Sequence, residues 1–417
     1  MLMSTVLLIN PSFENPKRNH SLFPFGIAYI AAYLQKYGHD VEIWDIFIES
    51  EIYADVKEKI DSGFLNKYDH IGITGIVTQY LYIKKLVRDI KQQSNVVVTV
   101  GGPLATYSYK FVLKNTEADI CCIGQGEYTY REIVENASSI NRINGISFVT
   151  NDNTITITQQ REPFDNISIS SIPRPAYELF DMEHYVNHTG MMDVVRSDFK
   201  DERVMPFITA RGCPYNCNFC SKSIKKVAIR PIDEIFAEIK HVIERYNVET
   251  IRFIDELFVL SKKRTRTLCK KLNELDVKWD AQARVNLVDK ELLLLMKESG
   301  CVCIGFGIES GSKTILDRMN KQITPEHIFN ALTWCREIRL PVKIQLIYGY
   351  PGENEESLAE TIELFKKLRY PARRFSIITP LPGACLYETA KQDGFIGDSI
   401  DDQISEEDFI KFICNYG

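Results

Sequence analysis

The sequence predicts an α/β protein of two domains, a doubly wound parallel sheet followed by a full or partial (β/α)6 barrel. Three observations support this prediction. Short β-branched runs alternate with amphipathic helices over residues 1–136, and a second alternation of six such repeats begins at about residue 203. At 417 residues, the chain is also too long for one ordinary domain. Alternating strands and helices are typical of parallel α/β sheets.

Composition and charge argue against several classes of protein. Hydrophobic residues make up 45% and charged residues 25% of the chain, which is enough to build a sizeable core. The net charge of −6 argues against binding duplex DNA and against steady attachment to an anionic membrane. No apolar run approaches the ~18 residues that span a bilayer, and the N-terminus lacks the basic segment of a signal peptide. The eleven cysteines, an odd number, favour a reducing compartment. We therefore expect a cytoplasmic protein with no nucleic-acid partner and no membrane span.

The N-terminal domain is predicted over residues 1–136. Its five buried strands are Val6–Ile9, Val41–Ile46, His70–Thr74, Val96–Val100 and Asp119–Ile123. A helix over Gly26–Tyr37 follows the first strand, with Gly38 in the position that commonly ends a helix. We expect residues 137–202 to form a linker that contains a β-hairpin around Asn151–Asn153.

The second domain is predicted over residues 203–390. Its strands are Phe207–Ala210, Thr250–Ile254, Trp279–Ala283, Val302–Phe306, Val342–Ile347 and Arg374–Ile378. Six consecutive repeats exceed what a second small open sheet needs and indicate a barrel, in which chemistry lies at the C-terminal ends of the strands. Residues 391–417 form a short acidic tail.

Three cysteines lie within eight residues directly after the first strand of that barrel. They are Cys213, Cys217 and Cys220. Structural zinc normally takes four N or S ligands, and a disulfide would leave one thiol over. A 4Fe–4S cluster normally takes four cysteines, so three would leave one iron open to a substrate or cofactor. A structural cluster or a zinc knuckle remains the alternative.

The Cys-x3-Cys-x2-Cys loop, with Phe219 between its last two cysteines, resembles that of radical S-adenosylmethionine (SAM) enzymes. The resemblance covers residues 203–390. It implies a 4Fe–4S cluster held by the three cysteines, with SAM chelated to the open iron. It also implies an electron donor of the flavodoxin or ferredoxin type and reductive cleavage of SAM to a 5′-deoxyadenosyl radical.

The same resemblance implies SAM-binding residues at the ends of successive strands. Asp255 and Glu256 follow the second strand, where the family holds the SAM amino group, and Arg284 follows the third as a partner for the SAM carboxylate. The other candidates are Phe219, Glu309, Ser310 and Gly349. Each charged residue alone fits a solvated loop or a salt bridge equally well, but their common position on one rim favours the joint interpretation.

The N-terminal domain resembles the cobalamin-binding half of B12-dependent radical SAM enzymes. Short signatures occur in family order at strand ends, where open α/β sheets bind ligands. The residues implied in cobalamin binding are Asn10, Pro24, Gly26, Thr74, Gly101, Gly102, Gly124, Gly126 and Glu127. Two departures matter: the Asp-x-His-x-x-Gly loop is absent, and Leu104 stands where the family often has histidine. The alternatives are cobalamin bound without a histidine ligand and a domain that has lost cobalamin.

The resemblance implies methyl transfer to an unactivated carbon or phosphorus of a small metabolite, through the deoxyadenosyl radical and methylcobalamin. The alternatives are a radical SAM cyclase or rearrangement enzyme, and an enzyme whose front domain no longer binds cobalamin. A methylthiotransferase acting on RNA would need three further cluster cysteines, and the N-terminal domain has only the adjacent Cys121 and Cys122. A binding protein without turnover is the non-catalytic alternative.

Overall fold

A computed structural model describes most of the chain. The described residues are 3–13, 22–49, 52–189, 202–222, 224, 226–370, 375–394 and 406–407. They fall into two compact units, the first formed by Met1–Met182 with Thr389–Gly417 and the second by Glu183–Glu388. Within the described ranges, no helix combines the length and the apolar character needed to cross a membrane.

The first unit is built on a seven-stranded sheet. Its strands are β1 Thr5–Asn10, β2 Asp40–Asp45, β3 His70–Thr74, β4 Val97–Gly101, β5 Ile120–Cys122, β6 Ile146–Val149 and β7 Ile155–Ile157. Their order is β2-β1-β3-β4-β5-β6-β7, and β1 to β5 are parallel. The winding direction reverses between β1 and β3, which creates a crevice outside their carboxyl ends. The prediction of a doubly wound sheet is confirmed.

Helices connect the parallel strands of the first unit. They are α1 Phe25–Lys36, α2 Ile46–Glu49, α3 Tyr53–Asp61, α4 Tyr80–Gln93, α5 Gly102–Asn115 and α6 Gly126–Glu135. The first of them buries Ile27, Ala31 and Leu34, as the apolar spacing of its sequence predicts, whereas Ile30 of the same predicted face is half-buried. The chain leaves this helix through Gly38, whose φ of +85° favours glycine.

The hairpin of residues 146–157 belongs to the first sheet, whereas the sequence led us to expect it in a linker. Strand β6 pairs antiparallel with β5, with Ile146 opposite Cys122, and β7 pairs antiparallel with β6. A parallel sheet that ended at β5 would expose a row of unpaired backbone groups, and the hairpin covers that edge. The first unit accordingly continues to Met182.

The second unit contains a six-stranded parallel sheet and a small antiparallel ribbon. The strands are β8 Val204–Phe207, β9 Ala210–Arg211, β10 Ala228–Ile229, β11 Thr250–Phe253, β12 Lys278–Ala283, β13 Cys301–Glu309, β14 Val342–Tyr348 and β15 Phe375–Ile377. The sheet has the order β8-β11-β12-β13-β14-β15, and β9 pairs with β10. Because each strand is added beside its predecessor, the winding is that of a partial (β/α)6 barrel, as predicted. The first strand ends at Phe207, three residues earlier than the sequence indicated.

Eight helices are described in or beside the second unit. They are α7 Met182–His188, α8 Ile232–Tyr246, α9 Lys262–Asn273, α10 Lys290–Glu298, α11 Lys313–Arg318, α12 Pro325–Glu337, α13 Glu355–Leu368 and α14 Cys385–Gln392. Four of them begin at side-chain caps that accept a backbone N–H in the first turn, namely Ser261, Asp289, Thr324 and Asn354. These caps fix where the helices start after the strand-end loops.

The carboxyl ends of β3 and β4 approach each other closely at two glycines. Gly102 has a φ of +78°, and a Cβ atom there would lie 2.7 Å from the carbonyl oxygen of Gly75. The backbone N–H of Gly75 donates to Gly101, and that of Leu104 donates to Gly75. Only glycine fits at position 102 without moving this backbone.

We predict that Gly102→Ala lowers the free energy of unfolding of the cofactor-free protein by about 1–3 kcal/mol, through left-handed strain and backbone overlap. Urea unfolding followed by circular dichroism measures this change. Gly26→Ala is the matched control, because no atom lies within 4 Å of the position its Cβ would take. The free energy of unfolding of the control should lie within about 1 kcal/mol of the parent value or above it. Equal effects of the two substitutions would contradict this account of Gly102.

Candidate active site

The three clustered cysteines lie on a loop that an antiparallel ribbon closes at its base. This cysteine loop, residues 212–227, leaves from β9 and returns into β10, where Arg211 pairs with Ala228. Gly212 has a φ of +82°, and a Cβ atom there would lie 2.4 Å from the carbonyl oxygen of Lys226. The loop therefore starts at a position that only glycine can occupy.

Contacts with two other loops hold the cysteine loop in place. The backbone N–H and the side-chain Nδ2 of Asn218 donate to the carbonyl oxygens of Met319 and Arg318, at 2.9 and 2.8 Å. The N–H of Leu386 donates to the Asn218 carbonyl at 2.8 Å. Phe219 packs against an apolar cluster formed by Ile315, Met319, Ile347, Tyr350 and Leu386. The cysteine backbone is thus fixed by residues more than 90 positions away in the sequence.

The Cys220 thiol is affected electrostatically by the other two cysteines of the loop. Cys217 is buried, Cys213 is half-buried and Cys220 is exposed. Desolvation, followed by the charge of Cys217, raises the pKa of the Cys220 thiol, and Cys213 contributes in the same direction. Thiolates so placed repel one another unless cationic metal lies between them.

This donor set fits a cluster better than a single ion. Among the described residues, no three histidine, cysteine or acidic side chains converge on a point that would hold one metal ion. The cysteines of a 4Fe–4S cluster each bind a different iron, so they need no such convergence. The thiols on this closed loop therefore fit a cluster with three protein ligands.

Arg284 lies against one of the cysteines. Its Nη1 is 3.6 Å from Sγ of Cys217, and its Cζ is 3.7 Å from the ring centroid of Tyr215. Its Nη2 donates to the carbonyl oxygen of Lys321. Only 6% of the residue is exposed. The sequence led us to expect this guanidinium beside the SAM carboxylate. In the structure it contacts Cys217 and Tyr215 of the cysteine loop.

A buried ion pair lies at the end of β13. Oε1 of Glu309 accepts from Nζ of Lys321 at 2.8 Å, and both side chains are about nine-tenths buried. Gly307 makes room for the pair, since a Cβ there would lie 2.6 Å from Glu309 Oε1. The Lys321 ammonium is also 5.6 Å from the ring centroid of Phe219. No sequence motif distinguishes Lys321, so this residue was not among the predicted site residues.

The adjacent acidic residues after β11 have different surroundings. Oδ1 of Asp255 accepts from the N–H and hydroxyl of Thr209 and from the N–H of Ala210, at 2.9, 2.8 and 2.6 Å. Burial raises the pKa of Asp255 to about 6, although these hydrogen bonds oppose the shift. Glu256 is exposed, and desolvation raises its pKa while the charge of Lys222 lowers it. Asp255 thus fixes the chain between β8 and β9, and Glu256 remains accessible beside the cysteine loop.

Two other candidates of this rim support the turns in which they lie. Ser310 Oγ is 3.3 Å from Thr361 Oγ1 and accepts from the N–H of Ser312. Gly349 has a φ of +82°, and its N–H donates to Glu353 Oε2 at 2.6 Å. The described contacts therefore direct Ser310 toward α13 and use Gly349 to form the turn after β14.

In the first unit, polar groups collect at the carboxyl ends of the central strands. Asn10 ends β1 and donates from Nδ2 to Asp45 at 2.8 Å, and Thr74 ends β3. Gln79, which no sequence motif marks, donates to the carbonyl oxygen of Pro11 at 2.7 Å. It thereby joins the loops on both sides of the crevice. The buried hydroxyl of Thr78 has no hydrogen-bond partner in the described part of the chain.

The candidate glycines of the first unit differ in what surrounds them. No atom lies within 4 Å of a Cβ built on Gly26 or Gly124, so both present open backbone. A Cβ on Gly102 or Gly126 would instead overlap neighbouring atoms. Pro24 accepts a hydrogen bond at the start of α1, Gly101 ends β4, and Glu127 and Leu104 are buried. Open glycine backbone beside the polar strand ends fits a large flat ligand at this edge.

The fold and the cysteine loop together define a class of enzyme. In this class, a partial barrel that carries a three-cysteine loop occurs in one chain with a doubly wound sheet that binds a cofactor. The model of the Radical SAM superfamily matches residues 207–365, and that of the B12 binding domain matches residues 17–134. The chain belongs to the B12-binding radical SAM family, whose cofactors are SAM, a 4Fe–4S cluster and cobalamin.

Three similar proteins cover most of the chain. The uncharacterized methyltransferase PH0819 of Pyrococcus horikoshii is 30% identical over 380 residues, which is 88% of this chain and 78% of the relative. Cytidylyl-2-hydroxyethylphosphonate methyltransferase of Streptomyces wedmorensis is 25% identical over 94% of this chain and 82% of its own length. The anaerobic magnesium-protoporphyrin IX monomethyl ester cyclase of Rubrivivax gelatinosus is 26% identical over 92% of this chain and 69% of its own length.

Two solved structures share the fold. The methyltransferase TsrM from Kitasatospora setae, with cobalamin and a 4Fe–4S cluster bound, has a TM-score of 0.77 and 16% identity over 95% of this chain and 80% of TsrM. The cobalamin-dependent radical enzyme OxsB, with aqua-cobalamin and SAM bound, has a TM-score of 0.74 and 19% identity over 98% of this chain. This chain spans 56% of the OxsB chain.

The buried Asp255 carboxyl should make stability depend on pH. Its pKa in the folded protein is about 6, above the ordinary value near 3.9, so the folded state binds more protons between these two values. This contribution to stability is therefore complete below about pH 4 and is lost as the pH rises to about 6. Asp255→Asn removes it. We predict that the free energy of unfolding of the variant, relative to the parent, rises by up to about 3 kcal/mol from pH 4 to pH 7. Parallel urea-unfolding curves across this range would contradict the prediction.

Proposed function

We propose that the protein is a cobalamin-dependent radical SAM methyltransferase acting on an unactivated carbon or phosphorus of a small metabolite. The observation that carries the proposal is the set of three thiols on one closed loop at the carboxyl rim of a partial barrel. When bound, SAM and the cluster supply radical hydrogen abstraction, and cobalamin carries the methyl group.

The chain's part in SAM binding is to hold the cluster and surround its open corner. Cys213, Cys217 and Cys220 would each hold one iron of the cluster and would leave the fourth iron to the amino and carboxylate groups of SAM. We propose that the accessible Glu256 and the Glu309 carboxylate contact SAM. Phe219 packs against the apolar cluster that holds the cysteine loop, while Asp255, Ser310 and Gly349 position the loops through the hydrogen bonds described above.

The chain's part in cobalamin binding is an open edge without a histidine from the Asp-x-His-x-x-Gly loop. We propose that the open backbone of Gly26 and Gly124 lies against the cofactor, with polar contacts from the crevice residues Asn10, Thr74 and Thr78. Pro24 and Gly101 flank this edge. Gly102, Gly126 and Glu127 support it from within, because their surroundings are already filled.

The pairing register of the barrel sheet brings polar residues together beside two glycines of β13. In the register of the sheet, Gly305 lies between Gln282 and Lys343, and Gly307 lies beside Gln345. Positions 305 and 307, two residues apart on β13, thus lack side chains. The adjacent strands contribute Lys343 and the amides of Gln282 and Gln345. We propose that a small polar molecule binds over Gly305, beside the Glu309–Lys321 pair that fills the space over Gly307, and that a cytoplasmic flavodoxin or ferredoxin reduces the cluster.

The second candidate function is radical cyclisation or rearrangement. The Rubrivivax gelatinosus cyclase favours it, because that enzyme matches over 92% of this chain. The two functions differ in stoichiometry, since only methylation consumes SAM as a methyl donor as well as a source of the radical.

Replacement of one cluster ligand should separate the two cofactor sites. We predict that Cys217→Ala loses iron and sulfide and abolishes reductive cleavage of SAM, because a cluster on two protein ligands is not retained. Cobalamin binding should persist, and iron assay with absorption spectroscopy after anaerobic reconstitution measures both cofactors. Cys385→Ala, at an exposed cysteine of the same unit, is the control and should keep cluster and cleavage. Loss of cobalamin from the Cys217→Ala protein, or loss of the cluster from the Cys385→Ala protein, would overturn this assignment of the two sites.

The products of SAM should distinguish methylation from cyclisation. We predict that the reconstituted enzyme, given reductant, methyl-labelled SAM and a small-molecule extract, forms 5′-deoxyadenosine and S-adenosylhomocysteine together and labels an extract component. Mass spectrometry measures all three products, and the Cys217→Ala protein is the blank. Formation of 5′-deoxyadenosine without S-adenosylhomocysteine and without a labelled extract component would instead support radical cyclisation.

A further inference from the structure

Arg284 is the one guanidinium that the described contacts place on a cysteine of the loop. It follows β12 in an extended conformation, with φ −104° and ψ 140°. Its Nη1 lies 3.6 Å from Cys217 Sγ, which is within hydrogen-bond distance for a sulfur acceptor. Both residues are at least nine-tenths buried, so solvent screens this contact little.

The guanidinium is held in this position from two further sides. It stacks over Tyr215 at 3.7 Å, and its Nη2 donates to the carbonyl oxygen of Lys321. The Lys321 ammonium is itself held by Glu309. Arginine suits such a site, because its planar fork can stack and donate in two directions at once.

Within the described ranges, no carboxylate balances the positive charge of Arg284. Among the described residues, none forms an ion pair with it at 4.0 Å or less. The surroundings of Cys220 differ, because the cationic Lys222 and the anionic Glu256 affect its thiol in opposite directions. The described contacts thus place a guanidinium directly on the sulfur of Cys217, whereas the Lys222 ammonium contacts the backbone carbonyl of Cys213.

A cation and a hydrogen bond at a cluster ligand favour the reduced cluster. Reduction adds one negative charge to the cluster and its thiolates, and hydrogen bonds to the sulfurs are a principal control of cluster potentials. The sequence led us to assign Arg284 to the SAM carboxylate, yet two of its nitrogens are already engaged on the cysteine loop and on Lys321.

We propose that Arg284 is a positioning residue of the cluster, which donates to the Cys217 thiolate and raises the reduction potential of the 4Fe–4S centre. The proposal rests on the proposed function only in requiring that the cysteine loop holds this cluster. It assigns Arg284 a role before SAM binds, in making the cluster reducible by a biological electron donor.

The test is a redox titration of reconstituted protein without SAM, monitored by electron paramagnetic resonance. Arg284→Gln should lower the midpoint potential, so that the ratio of reduced to oxidised cluster at a fixed potential falls about tenfold, equivalent to about 59 mV for one electron. The midpoint potential of Arg284→Lys should lie between those of Arg284→Gln and the parent, because lysine keeps the positive charge but lacks the planar guanidinium. Arg266→Gln, the same change at an arginine on α9 paired with Glu291, should titrate like the parent. A fully loaded Arg284→Gln protein with the parent potential would overturn the proposal.

A second measurement needs no substitution and decides the case in which the variants lose iron. Protein whose arginines carry ¹⁵N in the guanidino group only, with its cluster reduced, should show a weak ¹⁵N coupling in pulsed electron paramagnetic resonance that unlabelled protein does not give. No arginine coupling would overturn the proposal. If the parent protein assembles no cluster, the proposed function fails; if it assembles one and shows neither shift nor coupling, this inference alone fails.

Discussion

The Asp255 carboxylate fixes the point at which the chain leaves the barrel sheet for the cysteine loop. Its Oδ1 accepts three hydrogen bonds from Thr209 and Ala210, which tie the segment between β8 and β9 to the end of β11. The ribbon of β9 and β10 begins immediately afterwards, and Gly212 opens the loop with a left-handed φ. Burial of this carboxyl is unfavourable by itself, as its raised pKa shows. The geometry of the cysteines depends on this contact at the end of a neighbouring strand.

Charge around the cysteine loop is arranged by chain segments distant in sequence. Glu309 and Lys321 neutralise each other over Gly307, whereas Arg284 brings its positive charge to Cys217. Buried ion pairs contribute little net stability, because desolvation offsets their attraction. Their value here is positional, since the Lys321 carbonyl holds Arg284 while the Lys321 ammonium holds Glu309. One residue thus connects the ends of β12 and β13.

The sequence predicted the features that repeat or cluster along the chain, and it failed where contacts are long-range. Buried β-branched runs located most strands to within about two residues, and the spacing of three cysteines identified the cluster loop. The hairpin of β6 and β7 was correctly expected as a hairpin, but its pairing with β5 is a tertiary contact that no local pattern records. The strand β8 was placed three residues too late, because Ile208 and Thr209 continue the β-branched run past the point where Asp255 turns the chain. Lys321 and Gln79 were not predicted for the same reason, since each acts through a partner distant in sequence.

The central claim is that three thiolates hold a cubane cluster and leave its fourth iron to SAM. Electron–nuclear double resonance of the reduced cluster, mixed with SAM labelled with ¹⁵N at the amino group and ¹⁷O at the carboxylate, tests this most directly. We predict hyperfine coupling from both labels to the cluster spin, as expected for chelation of one iron. A loaded cluster that shows neither coupling at saturating SAM would have no open iron, and it would contradict the account.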